Sequence, residues 1–154
     1  MADVYATIAD ADPALVAQIA PVLELRAADP QQAAMRQAYL GDIQFPTGAR
    51  VLEVGCGTGA VTRELAGWPG VAEVVGLDPS PTFLASARRH HPPTKVEFVE
   101  GDAQTLQFPD RSFDVVVFHT ALKAEARRRS AAGQFFGHIA YASLVARLPD
   151  QGAA

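Results

Sequence analysis

Nine residues, Val51-Leu52-Glu53-Val54-Gly55-Cys56-Gly57-Thr58-Gly59, constrain this chain more than any other stretch. An apolar run ends in a turn with glycine at alternate positions. The turn opens into Ala60-Val61-Thr62-Arg63-Glu64-Leu65-Ala66, which stops at Gly67. A strand that feeds a helix in this way is one half of a parallel crossover. Glycine lacks the Cβ that would hold a ligand off the backbone. The first amides of a helix have no intrahelical partner, so a polar or negative group can dock there. Glu53 is the oddity, since a carboxylate inside an apolar strand is costly unless it is paired or at the strand end. It stands two residues before the first glycine, beside the expected ligand.

The residues that follow repeat the pattern. Val71–Asp78 reads as a second strand, and Ser80-Pro81 caps a helix that ends before Pro92-Pro93. Lys95–Glu100 alternates polar and apolar residues, as a half-buried edge strand does. Phe113–Phe118 is nearly continuous apolar, as a strand covered on both faces is. Strands alternating with helices imply a doubly wound α/β sheet. Asp78 ends the second strand, where an acid accepts hydrogen bonds from ribose hydroxyls in nucleotide-binding domains.

The glycine turn satisfies two patterns. Gly55, Gly57 and Ala60 fit the G-x-G-x-x-G/A of dinucleotide-binding domains. Glu53, Gly55, Gly57 and Gly59 fit E-x-G-x-G-x-G in full, and that resembles the first motif of class I S-adenosylmethionine-dependent methyltransferases. Gly101-Asp102-Ala103 after the third strand and Phe113-Asp114-Val115-Val116-Val117 after Pro109-Asp110 extend the resemblance to the ubiquinone- and menaquinone-type branch, over roughly residues 36–120.

The resemblance implies a Rossmann-like, mostly parallel sheet with N-terminal helices. It also implies S-adenosylmethionine as cofactor, and methyl transfer to a small-molecule acceptor by in-line displacement. Glu53, Gly55, Gly57 and Gly59 would face the methionine part, with Cys56 and Thr58 in the same turn. Asp78 and Pro79 would lie at the ribose, and Asp102 and Ala103 at the adenine. His119, just past the fourth strand, could orient the acceptor or take its proton; an unassigned loop histidine is the equal alternative. A cofactor-binding remnant without turnover and a nicotinamide-dependent oxidoreductase are the competing readings. Glu53, Gly59 and Gly101-Asp102-Ala103 speak against the latter.

Residues 1–48 form an acidic helical segment, with six Asp/Glu against two Arg, and residues 49–154 form the sheet-bearing unit. Asp12-Pro13 and Asp29-Pro30 start two helices, with Gln32 placed to close a capping box on Asp29. Leu15, Ile19, Val22 and Leu23 form the expected inner face of the first, and Pro21 is expected to break or bend it. Met35, Ala38 and Tyr39 form that of the second. Arg36 and Tyr39 either pack or form part of a lid. After residue 121 the chain resembles the far end of a longer methyltransferase, as if joined by an internal deletion near 121–122. A basic helix over 122–132, with its Arg127-Arg128-Arg129 cluster, and a strand over 139–146 are expected there. Unless that strand pairs with it, the fourth strand is an exposed edge through which the chain self-associates.

The net charge of −4 without a basic tract argues against nucleic acid. The lone cysteine excludes an internal disulfide and suits a cytoplasmic location. No apolar run reaches the roughly 20 residues that span a bilayer. His90, His91 and His138 share no ligand spacing with Cys56, so no metal site is expected.

Overall fold

The computed structural model describes residues 11–90, 92–118 and 144–146. Two helices, α1 (Pro13–Ala28) and α2 (Pro30–Gly41), precede the strand β1 (Ala49–Val54), the helix α3 (Ala60–Ala66), β2 (Val71–Asp78), α4 (Pro81–Arg89), β3 (Val96–Glu100), β4 (Val115–Phe118) and β5 (Leu144–Ala146). The sheet order is β3-β2-β1-β4-β5. The first four strands are parallel, with Glu53 paired between Gly76 and Val117. This is the Rossmann-like architecture expected from the alternating pattern. The expected basic helix over 122–132 lies outside the described residues.

Pleating divides the sheet residues into two cores. Val51, Val74, Val115 and Val117 face α3 and pack with Val61, Leu65 and Leu40. Leu52, Val54, Val75 and Leu77 face the other way and pack with Phe113, which meets Phe108 edge-on at 4.9 Å. Strand β3 lies at the sheet edge, as its polar alternation predicts. β5 pairs antiparallel with β4 in the register Val116↔Ala146, Val117↔Val145 and Phe118↔Leu144. The fourth strand is therefore covered and is not the free edge on which self-association was expected.

The N-terminal helices start as their sequence dictates. Asp12 accepts from Ala14 N–H at 2.8 Å, and Asp29 from Gln31 and Gln32 N–H at 2.9 and 3.0 Å. The capping box does not close, because Asp29 N–H donates to Arg26 O of the preceding helix. α1 also runs unbroken through Pro21, whose ring lies on the exposed side. Its inner face is Val16, Ala20 and Leu23 against Phe83, so Leu15 and Val22 are turned outward, contrary to expectation. In α2 the buried residues are Arg36 and Leu40, while Ala38 is exposed. Arg36 packs: Nε donates to Glu64 at 2.7 Å and a second guanidinium nitrogen to Ala27 O at 2.7 Å. One cation thus joins α1, α2 and α3, and the lid reading of Arg36 is set aside.

Candidate functional site

The chain leaves β1 for β2 on one side, and β4 lies on the other side of β1. Such a reversal of strand order opens a crevice at the carboxyl ends of the strands. The glycine turn occupies that edge. Gly55, Gly57 and Gly59 all have positive φ, at 75°, 54° and 76°, which glycine adopts without steric cost.

The turn is braced from three directions. Gly55 and Cys56 N–H both donate to Leu77 O, at 2.8 and 3.0 Å. Gly57 N–H donates to one oxygen of Asp78 at 2.8 Å, while the other oxygen accepts from Ser80 N–H at 2.9 Å. Arg63 donates to Thr58 O at 2.9 Å and pairs with Glu24 of α1 at 2.7 Å. Asp78 is buried, and burial raises its carboxyl above the usual range against the opposing bonds from Ser80 and Gly57. Asp78, at the strand end expected of it, thereby holds the turn to the start of α4.

Gly57, Gly59 and Gly76 divide by environment. A Cβ on Gly59 would collide with Phe98 Cζ, and one on Gly76 would lie 2.9 Å from Phe98 Cδ1 and 3.0 Å from Cys56 Sγ. The Phe98 ring therefore fills the space that both residues leave, and Gly59 is required for packing. A Cβ on Gly57 would meet only Leu23 Cδ1, at 3.6 Å. Of these positions, Gly57 is the one where the missing side chain leaves a cradle beside the turn.

Glu53 lies beneath the turn, 1% exposed, and accepts from the Thr62 hydroxyl at 2.5 Å. Burial pushes its carboxyl up to about 8, against the Thr62 bond that favours the charged form. Thr62 is the polar residue among the buried positions of α3, beside Val61, Leu65 and Ala66, and that pattern was legible in sequence. The Cys56 thiol packs with Leu84, Ala87 and Phe98, and burial raises it. Its side chain is turned into the core, so only its backbone belongs to the turn.

Pro79 is half-buried between Asp78 and the α4 cap Ser80. Asp102 and Ala103 are exposed in the loop after β3, where the Asp102 carboxylate accepts from Gln104 N–H at 2.8 Å. That loop is tied to the turn's support, since Gly101 N–H donates to Asp78 O at 3.2 Å. His119 lies outside the described residues. Leu23 and Arg63 were not read as site residues, because each acts through a contact between elements distant in the chain, Leu23 beside Gly57 and Arg63 with Glu24. Ser80 was read only as a helix cap, and its N–H also donates to Asp78 two residues away. Among the described residues, no cluster of His, Cys, Asp or Glu has metal-site geometry, and no helix is long and apolar enough to cross a membrane.

A family model described as a methyltransferase domain matches residues 51–140. The chain is 47% identical over 70 residues to a fatty-acid O-methyltransferase of Mycolicibacterium smegmatis, covering 46% of this chain and 26% of that protein. It is 46% identical over 67 residues to a demethylmenaquinone methyltransferase of Chlorobaculum tepidum, covering 44% of this chain and 26% of that protein. Among solved structures, it resembles an S-adenosylmethionine-dependent methyltransferase from Mesorhizobium loti with a TM-score of 0.51 and 30% identity, over 70% of this chain and 48% of that one. The chain thus spans between about a quarter and a half of the length of these relatives.

Proposed function

The chain belongs to the methyltransferase domain family, and from that premise we propose that it binds S-adenosylmethionine at the glycine turn and directs methyl transfer to a small-molecule acceptor. The observation that carries the reading is the braced cradle at Gly57. Its backbone is held by Asp78, its Cβ space is unfilled except at the reach of Leu23, and it stands at the strand-order reversal. A ligand can approach the main chain there, and the turn is already in place before it arrives, which lowers the ordering cost of binding.

Gly55, Gly57 and Thr58 would hold the methionine end, Asp78 and Pro79 the ribose, and Asp102 with Ala103 the adenine. Glu53, Gly59 and the Cys56 backbone would act from beneath, by fixing the turn's shape. Asp78 has one engagement on each oxygen, and an ionised carboxylate offers about four lone-pair sites, so acceptor capacity remains.

When bound, the cofactor supplies a methyl group already activated by the positive charge on sulfur. The protein's share is positioning and exclusion of water. An acceptor that takes up this methyl group would release its proton to solvent or to a base. His119 is the residue proposed for that proton; His119→Ala should slow transfer to a weakly acidic acceptor and spare cofactor affinity.

Calorimetric titration tests the reading. S-adenosylhomocysteine should bind saturably and NAD should not. Saturable NAD binding with none for S-adenosylhomocysteine would overturn it.

A further inference from the structure

α1 is apolar on two opposite faces. Among the described residues four large aliphatic side chains are exposed, and three belong to this helix: Leu15 at 46%, Val22 at 60% and Leu25 at 75%. At 3.6 residues per turn they share one stripe with Gln18, opposite the inner stripe of Val16, Ala20 and Leu23. A helix that is hydrophobic all round is a buried helix. The inner face is already fixed, because Glu24 pairs with Arg63 and the inner stripe packs on Phe83. The outer face is thus presented on a rigid support.

The ends of the outer stripe carry opposite charges. Asp12 is the exposed N-cap, and Arg26 is exposed in the last turn. Both flank the stripe on the same side, as helical spacing requires. When two copies of a helix pair antiparallel about a two-fold axis, the same flanks meet. Setting Leu15 against Leu25 of the partner subunit places Gln18 against Val22 of the partner subunit. It brings Arg26 of the partner subunit within about 3 Å, along the helix axis, of Asp12. In a parallel pair opposite flanks meet and Asp12 and Arg26 stand at opposite ends of the helix, so neither charge finds its complement.

We propose that the outer stripe of α1, Leu15-Val22-Leu25 flanked by Asp12 and Arg26, is the interface through which two copies of this chain pair antiparallel. The pairing braces the helix whose Leu23 lies over Gly57. It does not depend on which ligand the turn binds.

Sedimentation velocity of the 154-residue chain, from low to high micromolar concentration, should show a monomer–dimer equilibrium. Val22→Glu and Leu25→Glu should each weaken it roughly tenfold or more. Both side chains are exposed in the monomer, so the far-ultraviolet circular dichroism should be unchanged. Leu106→Glu, the exposed aliphatic outside α1, should leave the equilibrium unchanged. A short thiol cross-linker should join Leu15→Cys chains to Leu25→Cys chains and leave Leu15→Cys chains alone largely unlinked. A chain that stays monomeric, a dimer indifferent to Val22→Glu and Leu25→Glu, or efficient linkage between two Leu15→Cys chains would each overturn the proposal.

Discussion

Glu53 couples the site to pH. Its carboxyl is raised from an ordinary 4.5 to about 8, so between those values the folded chain keeps a proton that the unfolded chain has released. Its stabilising contribution is whole below about 4.5, is lost progressively as pH rises, and is gone above about 8. The slope from this one group reaches up to ~1.4 kcal/mol per pH unit. Asp78, raised by burial, acts in the same sense. Urea midpoints across that window should fall with pH, and Glu53→Gln should flatten the fall. An equally steep fall in the variant would assign the effect elsewhere.

Gly76, whose φ is not strained, gives a clean reading of the Phe98 contact. Gly76→Ala should destabilise by roughly 1–3 kcal/mol through overpacking, and Phe98→Leu in the same chain should recover part of the loss. Additive losses in the double variant would remove Phe98 as the cause. The sequence showed that a glycine turn stood here and that Glu53 needed a partner. It did not show which glycine served packing, because Phe98 is 39 residues from Gly59 and its approach depends on how β3 sits beside β2.

At the scale of elements, the strand–helix alternation was fully legible. β2 and the start of α4 fall where hydrophobic run and cap signals put them, because both signals are local. The inner faces of α1 and α2 were legible only in part: Ile19, Leu23 and Tyr39 pack inward as expected, whereas Leu15, Val22 and Ala38 are exposed. Helical spacing in α1 admits two apolar stripes, and only the position of Phe83 selects Val16 and Ala20 over Leu15 and Val22. Arg36 was left between packing and a lid, because the partners that bury it, Glu64 and Ala27 O, belong to other helices. Arg36→Ala leaves both acceptors without their donor and should cost roughly 1–3 kcal/mol. The loss should appear as faster amide exchange in α1 and α2 before β1 and β2. Uniform loss of protection across the sheet would show that these helices do not open separately.

At the scale of the whole molecule, the sheet brings together three stretches far apart in sequence. The turn after β1, Asp78 after β2 and the Gly101-Asp102-Ala103 loop after β3 converge at one edge through the bonds at Gly57 and Gly101. The opposite edge carries a separate, structural set in which Arg50 N–H donates to Asp114 at 2.8 Å and Lys95 reaches Val71 O at 3.0 Å. A ligand that binds through the braced turn must therefore report on the first edge and spare the second. Titration of the isotope-labelled chain with S-adenosylhomocysteine, followed by amide chemical shifts, tests this most directly. The amides of Gly55, Gly57, Thr58, Asp78 and Ala103 should move together and saturate. Those of Arg50 and Lys95 should stay in place, and Gly57→Val should abolish the movement while the remaining spectrum stays dispersed. Shifts confined to the Arg50 edge, or an unchanged response in Gly57→Val, would contradict the assignment of the glycine turn as the cofactor cradle.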